Sequence, residues 1–148
     1  MATTIKIPNH ALYLMATQAV DWDNDSFYLI LCSNFVFDID TDIEYANVSA
    51  NELSTAYGYT IGGILMTGGV VVEDDTNNDA RRSFDDVTVA ASGGDIGPYQ
   101  VAIIYNDTLA NDPIMASFTY SAGITIGNGD SSVFENLIMR LKSADSLT

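Results

Sequence analysis

The chain has 148 residues, of which 47% are hydrophobic and 17% charged; this excludes a disordered chain and gives one domain enough apolar side chains for a core. Five basic residues against 20 acidic give a net charge of -15, with no Lys or Arg between Ile7 and Ala80, and such a balance repels phosphate and excludes nucleic acid as a partner. No apolar run is long enough to cross a bilayer, and MATTIKIPNH lacks the charged start, apolar centre and small-residue cleavage site of a secretory leader, so neither a membrane partner nor classical secretion is expected.

Residues 9–19 (NHALYLMATQA) place Leu12, Met15, Ala16 and Ala19 at the i, i+3, i+4, i+7 spacing of an amphipathic helix, and Pro8 suits its first turn. Residues 26–32 (SFYLILC) are continuously apolar and read as a central strand. Residues 48–56 (VSANELSTA) read as a short helical turn, with Ser49 and Glu52 spaced as a capping box. Strands follow over residues 62–73, 83–90 (SFDDVTVA), 100–105 (QVAIIY), 114–120 (IMASFTY) and 132–141; a helix over 134–142 is the alternative for the last. Strand-rich runs between Asn, Asp and Gly clusters predict a single all-β domain over residues 1–148, mainly an antiparallel β-sandwich or barrel, with one short N-terminal helix. Residues 1–10 are expected to form an extended arm.

The stretch YGYTIGGILMTGG over residues 57–69 raises the question of a phosphate loop. No Lys follows Gly58, Gly62 or Gly63, and the next residues are β-branched, so the pattern fails. Glycine at a strand entry marks a bend or a close backbone approach, with Tyr57 and Tyr59 on opposite faces of the kink. DWDND from Asp21 and DIDTD from Asp38 both resemble the start of a calcium loop. Neither has the required Gly at position six or Glu at position twelve. Asp38, Asp40 and Asp42 on an extended chain would still point to one side and form the weak calcium candidate; no other metal or cofactor is expected. The single cysteine, Cys32, lies in an apolar run, and the single histidine, His10, in the predicted helix, so no catalytic residues are assigned. Arg81 and Arg82 follow an acidic turn and are read as local partners of Asp74, Asp75 or Asp79, or alternatively as a grip on an acidic partner.

Taken in order, DNDSFYLILCSNFVFDIDTD, Glu52 with GYTIGGILM, DDTNNDARRSFDDVTVA, AIIYNDT and DPIMASF are similar to a family of small phage virion proteins. That pattern combines an N-terminal helix, a "GY..GG..L" element and a "vIYnDt" hairpin, and it covers roughly residues 21–118. The final stretch GDSSVFENLIMRLKSADSLT departs from it, lacking the Trp-containing closing strand and the Gly-Ile/Leu end. The resemblance implies a non-enzymatic capsid decoration or cement protein, made in the host cytoplasm and carried on the outer capsid surface. Its expected partners are the major capsid protein and further copies of itself, as a trimer. The expected interface residues are Lys6, Tyr57, Tyr59, Gly62, Gly63, Arg81 and Arg82. A tail, neck or fibre-base component is the alternative within this class. A calcium-assisted carbohydrate-binding module, with Trp22, Tyr28 and Tyr45 as platforms, is the alternative outside it.

Overall fold

The computed structural model describes residues 2–142. Strand β1 (Ala2–Lys6) leads through Pro8 into helix α1 (Asn9–Ala16). Strand β2 (Phe27–Cys32) is followed by a one-turn helix α2 (Tyr45–Val48) and a 3₁₀ turn (Ser49–Asn51). Then come β3 (Ile64–Met66), β4 (Val71–Asp74), β5 (Asp79–Ser83), β6 (Val87–Ala90), β7 (Ile96–Asn106), β8 (Ile114–Ile126), β9 (Ser131–Phe134) and β10 (Ile138–Lys142). The protein is all-β with short helices, as the strand-rich sequence predicts.

The main sheet has five antiparallel strands in the order β1-β8-β7-β2-β3. Its centre is the pair β2–β7, with Leu29 opposite Ile104 and Ile30 opposite Ile103. Alternate residues of a strand face opposite sides, and both sides of this sheet are covered. On one side Phe27, Leu29, Leu31, Ala102 and Ile104 pack with Val87 and Val89 of β6, Phe134 of β9 and Ala11 of α1. On the other, Ile30, Cys32, Val101, Ile103 and Ile114 pack with Phe37 and Val48. Burial on both faces explains why β2 and β7 read as continuous apolar runs rather than alternating ones. Each fully buried Leu or Ile stabilises by about 1.5–3 kcal/mol relative to exposure. The smaller sheets, β10-β5-β4 and β6-β9, complete the first side.

Several elements differ from the sequence reading for local reasons. The helix over 9–19 stops at Ala16, because Gln18 takes a left-handed φ of 60° and the N–H groups of Gln18 and Ala19 leave the helical pattern for the Met15 and Leu14 carbonyls. The helical turn over 48–56 lies earlier, at 45–51, and its reciprocal cap is Glu44 with Asn47, the Glu44 N–H donating to Asn47 Oδ1 at 3.0 Å. The strand over 62–73 is two strands, split by Gly68 and Gly69 at φ 82° and 70°; a Cβ on Gly69 would meet Ser83 O at 1.8 Å. The strand over 83–90 divides at Phe84, whose N–H donates to Leu137 O. The stretch 132–141 is strand on both sides of a break at Asn136, φ 55°, so the helical alternative does not form. Residues 2–6 do not project as an arm: β1 lies along β8 as an edge strand, with Ile5 opposite Phe118.

Candidate functional site

Glu52 leaves the 3₁₀ turn beside Cys32, and its carboxylate organises the glycine-rich stretch. Oε2 accepts from Tyr45 Oη at 2.5 Å, while Oε1 accepts from Tyr59 Oη at 2.7 Å and from the Gly62 N–H at 2.8 Å. Tyr59 Oη in turn accepts from the Leu31 N–H at 3.0 Å, and Tyr105 Oη donates to Gly62 O at 2.8 Å. The Tyr105 ring stacks with Tyr45 at 4.9 Å and Tyr28 at 5.8 Å. Trp22 stacks instead on buried Phe27, so the three aromatics proposed as a binding platform are packed among other rings. Burial, followed by the bond to Glu52, raises the Tyr45 and Tyr59 phenols above their usual range. They therefore remain protonated donors. Burial and the Glu52 charge likewise push the Cys32 thiol up to about 12, leaving it a buried apolar filler rather than a nucleophile.

This network places the residues around the glycines. Tyr59 faces the interior at 2% exposure, so it holds the loop and offers no surface in this chain. Tyr57, at φ 54°, lies on the outside over Gly94, and its carbonyl accepts from the Ser92 N–H. Gly63 is a close approach: a Cβ there would meet Leu29 O at 2.2 Å. Gly62 faces open space at φ 94°. The stretch is thus a bent entry into β3, latched from beneath by one carboxylate. Sequence reasoning cast Glu52 as a helix cap and missed this role. The available signal was a lone acid in uncharged surroundings with a tyrosine seven residues to either side.

The acidic motifs close on themselves. Asp38 Oδ1 accepts from the Asp40 N–H at 2.9 Å, Asp42 Oδ2 from the Asp38 N–H at 2.8 Å, and Asp40 Oδ1 from Asn9 Nδ2 at 2.7 Å. The segment is a turn, with the Asp42 N–H on Asp38 O, so the three carboxylates do not share one side of an extended chain. Among the described residues no three His, Cys, Asp or Glu side chains are gathered to hold a metal ion. Asp21 accepts from the Asn24 side chain and then from the Asp23 N–H, contacts that hold its carboxyl below the usual range.

The basic residues named by the sequence are engaged within the chain. Lys6 Nζ donates to Phe37 O at 2.8 Å. Arg81 pairs with Asp74 at 2.6 Å. Arg82 is buried, donates to the Trp22 carbonyl, and lies over the Phe84 ring at 4.6 Å. Arg140 meets the buried Asp79 carboxylate at 2.9 Å; this ion pair is the polar neighbour of a group that takes no well-aligned hydrogen bond.

Beside the acidic turns, large apolar side chains are exposed, including Val36, Val133, Ile138 and Leu141. Ile5, Ile7, Leu12 and Tyr13 are exposed near β1, and Tyr57, Ile61, Leu65, Val70, Val71 and Val72 near β3. A groove of about 550 Å³ runs beside β1, lined among others by Ile5, Phe118, Tyr120, Ile124, Phe134 and Leu137. No protein-family model, curated protein or solved structure matches the chain.

Proposed function

We propose that this chain is a non-enzymatic virion structural protein of a phage, a decoration or cement protein that binds the outer capsid shell as a symmetric oligomer. The observation that carries this reading is the division of the molecule's chemistry. The arginines, the tyrosine phenols around Glu52 and the thiol are engaged within the chain, while large apolar side chains stay exposed, among them Ile5 on β1, Leu65 on β3 and others on α1, β4, β9 and β10. Contiguous exposed apolar surface on a soluble domain marks a contact with another protein. The charge of -15 suits a surface turned to solvent and away from packaged DNA. In this reading the partners are the major capsid protein and further copies of the chain, and three copies about a local three-fold axis is the expected count.

The test is co-sedimentation of the purified chain with shells assembled from the major capsid protein alone. Saturable binding with a rise in the shells' disruption temperature is the expected result. Binding to isolated tails and not to shells would move the protein to the tail or neck, and binding to neither would overturn the reading.

A further inference from the structure

We infer that copies of this chain join edge to edge, the β1 edge of one copy pairing with the β3 edge of the next. This deepens the proposed function and rests on the self-association within it. β1 and β3 are the two end strands of the five-stranded sheet, and among the described residues neither has a strand on its outer side. An outer strand presents unpaired N–H and C=O groups that template another strand, and proteins normally guard such edges with charge, proline or a covering element. Here such guards stand only at the strand ends, Pro8 after β1 and Asp85 against Thr67 after β3. β3 is Ile-Leu-Met, and the one charge in β1, Lys6, is drawn inward to Phe37 O.

Charge singles out the same two edges. Two copies of net charge -15 repel wherever both present acids. Residues 1–20, which supply β1 and α1, contain no Asp or Glu; nor do residues 113–129, which supply β8 beside them. Residues 53–72, which supply β3 and the latched loop before it, contain no charge at all. The edge strands themselves therefore bring no acid to a seam between copies; the acids that lie against their ends are Asp40, on the Asn9 side chain, and Asp85, on the Thr67 hydroxyl. Each end also carries exposed apolar side chains: Ile5 at 63% on one and Leu65 at 46% on the other. A β1-to-β1 pairing would leave the β3 edge open, whereas head-to-tail pairing covers both. Head-to-tail contacts close into a ring when the rotation per copy divides a full turn, which gives the symmetric oligomer of the proposed function a physical seam.

The experiment measures the mass of the intact chain in solution by sedimentation velocity, at concentrations up to on the order of 100 μM, for wild type, Ile5→Asp, Leu65→Asp and a control, Val36→Asp. Val36 is 88% exposed and belongs to neither edge strand. Wild type and Val36→Asp are expected to form the same closed oligomer, and each edge variant alone to be a monomer. A one-to-one mixture of the edge variants should form a two-copy complex and nothing larger, because one intact β1 edge then meets one intact β3 edge. An oligomer that survives Leu65→Asp overturns the head-to-tail pairing while leaving self-association standing. A monomeric wild type overturns the inference, and shell binding then decides the broader reading separately. Should an edge variant fail to fold, hydrogen exchange on wild type serves instead: amide protection in both β1 and β3 should rise with protein concentration, and protection independent of concentration overturns the pairing.

Discussion

Replacing Glu52 by Ala removes a carboxylate on which three donors converge, at 2.5, 2.7 and 2.8 Å. A hydrogen bond to a charged group contributes about 1.5–3 kcal/mol net. Tyr45 is half-buried and recovers water when its partner goes. Tyr59 is buried; it still accepts from Leu31 but has nowhere to donate. Discounting the Tyr45 bond leaves two, and the loss comes to about 3–6 kcal/mol. A chain of this length shifts by roughly 3 °C per kcal/mol, so the midpoint of thermal unfolding should fall by about 9–18 °C. Glu52→Gln keeps an acceptor for Gly62 and Tyr59 and should lose only about 1–2 kcal/mol. The assay is circular-dichroism melting at pH 7, with hydrogen exchange at the Gly62 amide as a local readout. Exchange there should accelerate in Glu52→Ala more than at the β2–β7 core. A midpoint within about 3 °C of wild type would refute the view that Glu52 latches the loop.

Gly63→Ala should destabilise by more than about 2 kcal/mol, since it combines a left-handed φ with a 2.2 Å approach to the Leu29 carbonyl; Gly62→Ala has only the backbone strain and should cost about 1 kcal/mol, both read from denaturant midpoints. Arg140→Ala leaves the Asp79 carboxylate buried without its counter-charge and should cost about 3 kcal/mol, with most of the loss recovered by adding Asp79→Asn, as a double-mutant cycle would register. The Tyr59 phenol is raised above its unfolded value by burial and then by its bond to Glu52, so its contribution is whole below about pH 10 and is lost as pH climbs toward the folded value; Tyr59→Phe should flatten that alkaline decline in melting temperature. Asp21 is held low by Asn24 and the Asp23 N–H, so its contribution is present above about pH 4 and fades as pH falls through the lower folded value; wild type should lose its margin over Asp21→Asn in that range. Cys32, buried and pushed up to about 12, should resist maleimide at pH 8 until the chain unfolds, and fast labelling of the native protein would contradict its placement.

The buried centre was legible because FYLILC and VAIIY are uninterrupted apolar runs, and only a strand covered on both faces uses such a run at this length. β5 was not legible. Its sequence DARRS has no apolar alternation, and it becomes a strand through pairing with β4 and β10 and through the buried Asp79 and Arg82 finding partners in Arg140 and the Trp22 carbonyl. The breaks at Gly68–Gly69 and at Asn136 were missed because a run of β-forming residues hides a left-handed position that only the tertiary path requires. At the glycine-rich stretch, failure of the phosphate-loop pattern correctly left a bent strand entry. Its fastening to Glu52 was signalled only by the isolation of that acid between Tyr45 and Tyr59, and spacing alone does not say that both hydroxyls fold back onto it. The pairing of Arg81 with Asp74 follows the local reading of the arginine pair after its acidic turn; Lys6 and Arg82, named as contacts for a partner because charge was scarce, instead reach the Phe37 and Trp22 carbonyls.

The most direct test of the account is the copy number of this chain in purified virions, by quantitative mass spectrometry against the major shell protein. The account predicts a number of copies comparable to that of the shell protein itself. Total absence from the particle would contradict it.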